Sequence, residues 1–358
     1  MLSQHDVVPY LLFRGLISSR CVVEGNVAVL DNSRRNRNYR IISPDSCYLL
    51  KQAVGPDRIE TLSREAAIYQ QLFSSTAKNG TASHLPGFRA YDSEQNILIL
   101  ELIQDAETLR EQQRRLGRVS ARSAQRTAEA LAALHRSVSN PREKSARASV
   151  LELHQPGLAA YRNASRAGLE LIEIIQKQSS LTGHLDELRD EWQPCGFIHG
   201  DIRVENILIP VPLGRGRRPV KIVDFEFTGA GDTAWDVGSL FAEYLSFWLS
   251  SIPLLAGSKL DRFIHLADCP LRNVQPSICS FWSRYAESLD LQDSKSDRFL
   301  LRAVKFSALR LLVTTFEIAP QLSSVSTYML ALVQVAMNIL ADPKRAAIEL
   351  YGFSFRRV

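Results

Sequence analysis

The chain has 358 residues, of which 45% are hydrophobic and 23% charged, a globular balance that argues against a disordered or low-complexity protein. Its formal charge of +5 is scattered through mixed-charge stretches, with RRNRN at 34–38 and GRGRR at 214–218 as short exceptions, and no nucleic-acid recognition motif accompanies it, so no nucleic-acid partner is expected. Five cysteines, Cys21, Cys47, Cys195, Cys269 and Cys279, form no CxxC pair; neither a disulfide framework nor a zinc knuckle is indicated, and a reducing cytoplasmic setting fits.

The N-terminal MLSQHDVVPYLLFRG lacks the basic-then-apolar order of a secretory signal. From Cys21, the run CVVEGNVAVL, the polar loop DNSRRNRN, YRII, the turn SPDS and CYLLKQ predict antiparallel hairpins. SREAAIYQQLF predicts a helix with Glu65, Ile68, Tyr69 and Leu72 on one face, and NILILELI at 96–103 a further strand. From Gln104 the pattern turns helical, led by ARSAQRTAEALAALHRSV and continuing to Trp192. Short β-type runs then return as CGFIHG, NILIPV and VKIVDFEF, and beyond Trp235 nearly everything reads as helix. YLSFWLSSIPLLAG and YMLALVQVAMNILA are too short and too polar for spanning helices, so they read as buried helices and no membrane partner is expected. The expected class is α+β in two lobes: a small β-rich N-lobe over 1–103 and a larger helical C-lobe over 104–358.

Transfer of a γ-phosphoryl group needs cations against phosphate charge, carboxylates to hold those cations, and an acceptor placed in line. Asp201 follows a β-type run, and Asn206 stands five residues later at the start of the next strand. That spacing lets one loop offer a carboxylate to an acceptor hydroxyl and an amide oxygen to a metal. Asp224 ends VKIVD, and pairing of NILIPV with VKIV as a hairpin would bring it back beside Asn206, with magnesium between. Lys51, an ammonium on an apolar strand, needs a carboxylate partner. Glu65 on the next helix can supply it and fix Lys51 to grip the α- and β-phosphates of ATP.

HGDIRVEN followed by VDFEF and GDTAWDVGSL resembles the aminoglycoside phosphotransferase and choline kinase branch of the protein-kinase-like fold. The resemblance implies a bilobal kinase using ATP and Mg2+, with Asp201 as the base that orients the acceptor, Asn206 and Asp224 as metal ligands, and Glu226 assisting through metal-bound water. It implies a packing and hydrogen-bonding role for His199, a helix-capping or loop-bonding role for Asp236, and a core position for Trp235. Arg203, two residues after Asp201, stands where protein kinases place a lysine that touches the transferred phosphate, and reads equally as an exposed loop arginine. No GxGxxG precedes Lys51; likeness to phosphotransferases with serine-rich loops implies phosphate contacts from backbone amides, Ser33 and Arg34 or Arg35. Adenine is expected at the end of NILILELI, near the backbone of Glu101 and Ile103. Only six residues separate Asp224 from Gly231, which leaves no activation segment.

From Ser246 to the end, thirteen Lys or Arg stand against nine Asp or Glu, a poor balance for a polycation pocket. SRRNRNYRI, LLKQA, TLSREAAIYQ, FIHGDIRVENILI and GDTAWDVGSLFAEYLSFWLSSIP resemble the kinases that work beside a HopA1-like lyase in class V lanthipeptide and thioamitide biosynthesis. That resemblance implies a ribosomal precursor peptide as substrate, phosphorylated on Ser or Thr, and a HopA1-like lyase as partner that eliminates the phosphate. A small-molecule kinase acting on an antibiotic, sugar or amino alcohol is the alternative, and a non-catalytic nucleotide-binding module a third reading.

Overall fold

A computed structural model of the chain describes residues 1–33, 36–75, 80–138, 141, 145, 150–194, 196–211, 218–253 and 264–355. They belong to two compact units, Met1–Glu107 with Leu208–Glu226, and Thr108–Ile207 with Phe227–Val358. The first unit therefore runs a few residues past the expected division at 103. It also takes back the hairpin segment that carries Asp224, because those strands join a sheet with the chain around residue 106.

The first unit comprises α1 (Gln4–Phe13), α2 (Ser19–Val23), β1 (Ala28–Asp31), β2 (Arg37–Ile42), β3 (Cys47–Gln52), α3 (Pro56–Ser75), β4 (Phe88–Asp92), β5 (Ile97–Glu101) and β6 (Ala106–Thr108). Its main sheet has the order β1-β2-β3-β5-β4 and is antiparallel throughout. Alternation decides the faces: Tyr39, Ile41, Tyr48, Leu50, Ile97 and Ile99 pack against Val7, Tyr10 and Leu11 of α1. The helix α1 is unanticipated; the Ser3 amide and hydroxyl both donate to Asp6 Oδ2 and start it. The strand expected from Cys21 is also shorter than its β-branched residues suggest. Ser18 Oγ accepts from the Cys21 amide and Gly25 turns the chain at φ +70°, so 19–23 is helical and pairing begins at Ala28.

The second unit is mostly helical: α4 (Leu109–Leu116), α5 (Ala121–His135), α6 (Leu158–Asn163), α7 (Arg166–Gln176) and α8 (Ser179–Asp190) lead to the short strand β7 (Gly196–Ile198). The chain then forms β8 (Ile207–Pro210) and β9 (Lys221–Ile222), hydrogen-bonded in the order β6-β8-β9, as the hairpin expectation required. After it, β10 (Gly229–Gly231) pairs antiparallel with β7. The rest is α9 (Thr233–Ser250), α10 (Leu271–Ser288), α11 (Asp293–Ile318), α12 (Thr327–Ala341) and α13 (Pro343–Glu349). Among the described residues no helix is long and apolar enough to cross a membrane. Cys21, Cys47, Cys269 and Cys279 are free thiols, and Cys195 lies outside the described residues.

The helices α9 and α11 approach closely at Gly238, where an added Cβ would lie 2.5 Å from the Ala303 carbonyl oxygen and 2.9 Å from the Ser307 amide nitrogen. Backbone cannot give way as a side chain can. Gly238→Ala is expected to cost about 2 kcal/mol through forced separation of the two helices, read as a lowered denaturation midpoint with an unchanged m-value.

Candidate active site

In the first unit, β3, α3 and the segment after β9 bring a half-buried cation and two carboxylates together. Lys51 Nζ donates to Glu65 Oε1 at 2.8 Å, to Glu65 Oε2 at 3.2 Å and to Asp224 Oδ1 at 2.9 Å. Glu65 lies on the inward face of α3 with Ala66, Tyr69 and Leu72, all buried as its period predicts. Tyr69 packs edge-on to Phe225 at 5.3 Å between ring centroids, which anchors the residue after Asp224. Burial alone would depress the Lys51 pKa, but Glu65 and Asp224 outweigh it and hold the ammonium well above its ordinary value. A cation kept charged under these conditions is suited to gripping phosphate oxygens.

In the second unit, the loop between β7 and β8 is fixed from beneath by Asp236. Its Oδ2 accepts from the His199 amide at 2.7 Å and its Oδ1 from the Gly200 amide at 3.0 Å. Asp236 is thus the loop-bonding residue, and Asp232 caps α9 by accepting from the Ala234 amide. Trp235 is buried and its indole N–H donates to the Gly200 carbonyl at 3.0 Å. His199 is fully buried, with Nδ1 accepting from the Asp201 amide at 3.2 Å. Gly200 has φ +82°, and a Cβ there would meet the Phe227 carbonyl at 2.5 Å, so only glycine fits. Asn206 Nδ2 donates to the Asp201 carbonyl at 3.0 Å, closing the loop on itself. His135 of α5, which no local motif marks, pairs with Asp236 Oδ2 through Nε2 at 3.0 Å and with the Tyr285 hydroxyl through Nδ1 at 2.7 Å.

Arg203 is neither an exposed loop arginine nor extended alone toward a phosphate. It belongs to a closed ring of alternating charge in the second unit. Arg203 pairs with Glu317 at 3.2 Å and Glu205 at 3.7 Å; Glu205 pairs with Arg110, and Arg110 with Glu243 at 3.5 Å. Arg310 completes the circuit, 3.8 Å from Glu243 and bidentate on Glu317 at 2.9 and 3.2 Å. Burial opposes the charge of Arg310, but Glu317, Glu243 and Asp201 raise its pKa above the usual arginine value. Sequence reasoning reached Arg203 alone of these six. The available signal was a lone charge inside an apolar helix, Glu243 in LFAEYLSFW and Arg310 in SALRLLV, since a buried charge requires a partner.

Ser33 Oγ accepts from the Asn38 amide at 3.2 Å and shapes the loop between β1 and β2; Arg34 and Arg35 lie outside the described residues. Arg37 donates to the Tyr39 hydroxyl and the Leu2 carbonyl, tying down the N-terminus. At the end of β5 the Glu101 amide donates to the Gly87 carbonyl at 2.7 Å and the Leu102 amide to the Cys47 carbonyl at 3.0 Å. These two N–H groups are committed to the fold. Among the described residues no three His, Cys, Asp or Glu side chains gather as a metal cage. Magnesium commonly takes one or two protein oxygens and completes its shell with water and phosphate. Asp224 and Glu226 in the first unit and Asn206 in the second have the donor chemistry it requires, and when bound it would neutralise phosphate charge.

Lys51→Met leaves Glu65 buried without its cation, and a loss of about 3 kcal/mol is expected at neutral pH. The stranded Glu65 would have a folded-state pKa above its unfolded value. It is therefore tolerated best below the unfolded value and costs more as pH rises through the folded one. Denaturant unfolding at several pH values should show the deficit against the parent growing between acid and neutral pH.

A family model described as the phosphotransferase enzyme family, APH, matches residues 26–262, more than half of the chain. Choline kinase from Cryptosporidium parvum is similar in structure at 12% identity, with a TM-score of 0.59 and coverage of 97% of each chain. Aminoglycoside phosphotransferase APH(4)-Ia follows at 14% identity and a TM-score of 0.51, with 96% of this chain and 99% of that one covered. LicA, the choline kinase of Streptococcus pneumoniae, in complex with AMP, is similar at 15% identity and a TM-score of 0.50, over 95% of this chain and 99% of that one. No curated protein matches. At these identities the structures establish the fold, a mixed α+β kinase-like architecture, and the family model establishes membership: the chain belongs to the APH family of phosphotransferases, enzymes that act on a hydroxyl acceptor.

Proposed function

We propose that this chain transfers the γ-phosphoryl group of ATP to an alcoholic hydroxyl, with Asp201 accepting the hydroxyl proton as the oxygen attacks phosphorus and ADP leaves. The carrying observation is the Asp201 loop, pinned at its backbone by Asp236, His199 and Asn206 so that one carboxylate has a fixed place. Lys51, held charged by Glu65 and Asp224, supplies the grip on the α- and β-phosphates. Asn206, Asp224 and Glu226 are the proposed magnesium donors.

Two acceptors are supported by different observations. A small hydroxyl-bearing molecule is favoured by the likeness to choline kinases and to an aminoglycoside phosphotransferase. Ser or Thr of a ribosomal precursor peptide, handed on to a HopA1-like lyase, is favoured by the five quoted sequence segments. Its chemistry is coherent, because phosphate leaves far more readily than hydroxide. Both readings require the same base. Asp201→Asn is expected to reduce transfer about a thousandfold while the protein still binds ATP, read by intact mass of acceptors incubated with Mg-ATP. Full transfer by this variant would remove Asp201 from the role of base.

A further inference from the structure

The period of α11 sets Arg298, Leu301, Arg302 and Lys305 on one stripe, at i, i+3, i+4 and i+7. The stripe forms one wall of a cavity of about 460 Å³ within the second unit. The chain after α8, at Glu191 and Gln193, forms another, and the junction of α12 with α13, at 341–344, a third. That volume suits a small organic molecule, and none of the residues assigned to phosphoryl transfer lines it.

The charges of these walls do not cancel. Lys305 pairs with Glu191, and Arg302 Nε lies 2.8 Å from Oδ2 of the buried Asp232, the cap of α9. Asp342 Oδ1 accepts from the Arg345 amide at 2.9 Å as the cap of α13. Arg298 and Lys344 form no ion pair among the described residues; Lys344 Nζ lies 5.8 Å from the centroid of the Phe355 ring. Arg298 also stands four residues before Arg302, a spacing at which like charges repel. Between the charges, Leu301, Ala341 and Pro343 leave the cavity an apolar surface.

We propose that this cavity binds a small aliphatic carboxylic acid, its carboxylate taken by Arg298 and Lys344 and its chain by Leu301, Ala341 and Pro343. The site stands independently of the phosphotransferase reading. A bare inorganic anion would leave the apolar surface wet, and an alcohol would leave both cations unpaired. An amine would be repelled. Because Lys305 and Arg302 tie the same wall to Glu191 and Asp232, an occupant also braces the segments leading into β7 and α9, and it stabilises the chain by mass action.

The test is isothermal titration calorimetry of the full chain at neutral pH and low salt with four probes: octanoate, octanol, octylammonium and acetate. Octanoate is expected to bind one to one, about tenfold tighter than octanol through its charge and about a hundredfold tighter than acetate through its chain. The double variant Arg298→Glu, Lys344→Glu should weaken octanoate at least about tenfold and make octylammonium the tighter ligand, with octanol changed less than about twofold. Both side chains are exposed, so its denaturation midpoint should match the parent's. Arg298→Gln alone, a milder change, should cost octanoate about threefold and octanol nothing. Equal octanoate affinity in the parent and both variants places the acid elsewhere and overturns the proposal. So do equal affinities of the parent for octanoate and octanol, or for octanoate and acetate, and so does the absence of saturable octanoate binding.

Discussion

A buried carboxylate underlies the geometry of the second unit. Asp236 sits fully buried under the loop between β7 and β8 and turns two backbone amides, those of His199 and Gly200, toward itself. A buried anion is tolerated only when donors surround it. His135 supplies a third, and the Tyr285 hydroxyl steadies that imidazole from the other side. Once the amides point inward, the loop can reverse only through a left-handed residue, and Gly200 is the one that fits. The place of Asp201 follows from this chain of constraints.

The two units solve the same electrostatic problem differently. Around Lys51, two carboxylates converge on one cation, giving a local excess of negative charge that a divalent cation or a phosphate-bound metal can relieve. Around Arg310, opposite charges alternate and cancel. Burial raises the pKa of Glu243, yet Arg310, Arg203 and Arg110 oppose that effect. The first arrangement is poised to exchange partners during binding, and the second to keep its own.

Much of the candidate site was legible in the sequence because its parts are local. The spacing of Asp201 and Asn206 lies within one loop, and Lys51 and Glu65 lie on adjacent elements whose periodicity exposes the inward face. The hairpin of β8 and β9 was legible for the same reason. What escaped was non-local or decided by caps. The helix α2 overrode β-branched residues because Ser18 and Gly25 fix its ends. His135 and the ring residues on α4, α9 and α11 meet only after helices pack, and no spacing in the chain encodes that meeting. The single clue was a charge where an apolar helix should have none.

The closed circuit at Arg203 carries an evolutionary consequence. Each of its six members has two opposite neighbours, so replacing one leaves two charges with a single partner each, and the effects of neighbouring substitutions are not expected to add. A descendant that alters this surface must change residues in compensating pairs. Drift through the ring should therefore proceed in jumps with silent intervals, and chains of this kind with intermediate rings should be rare.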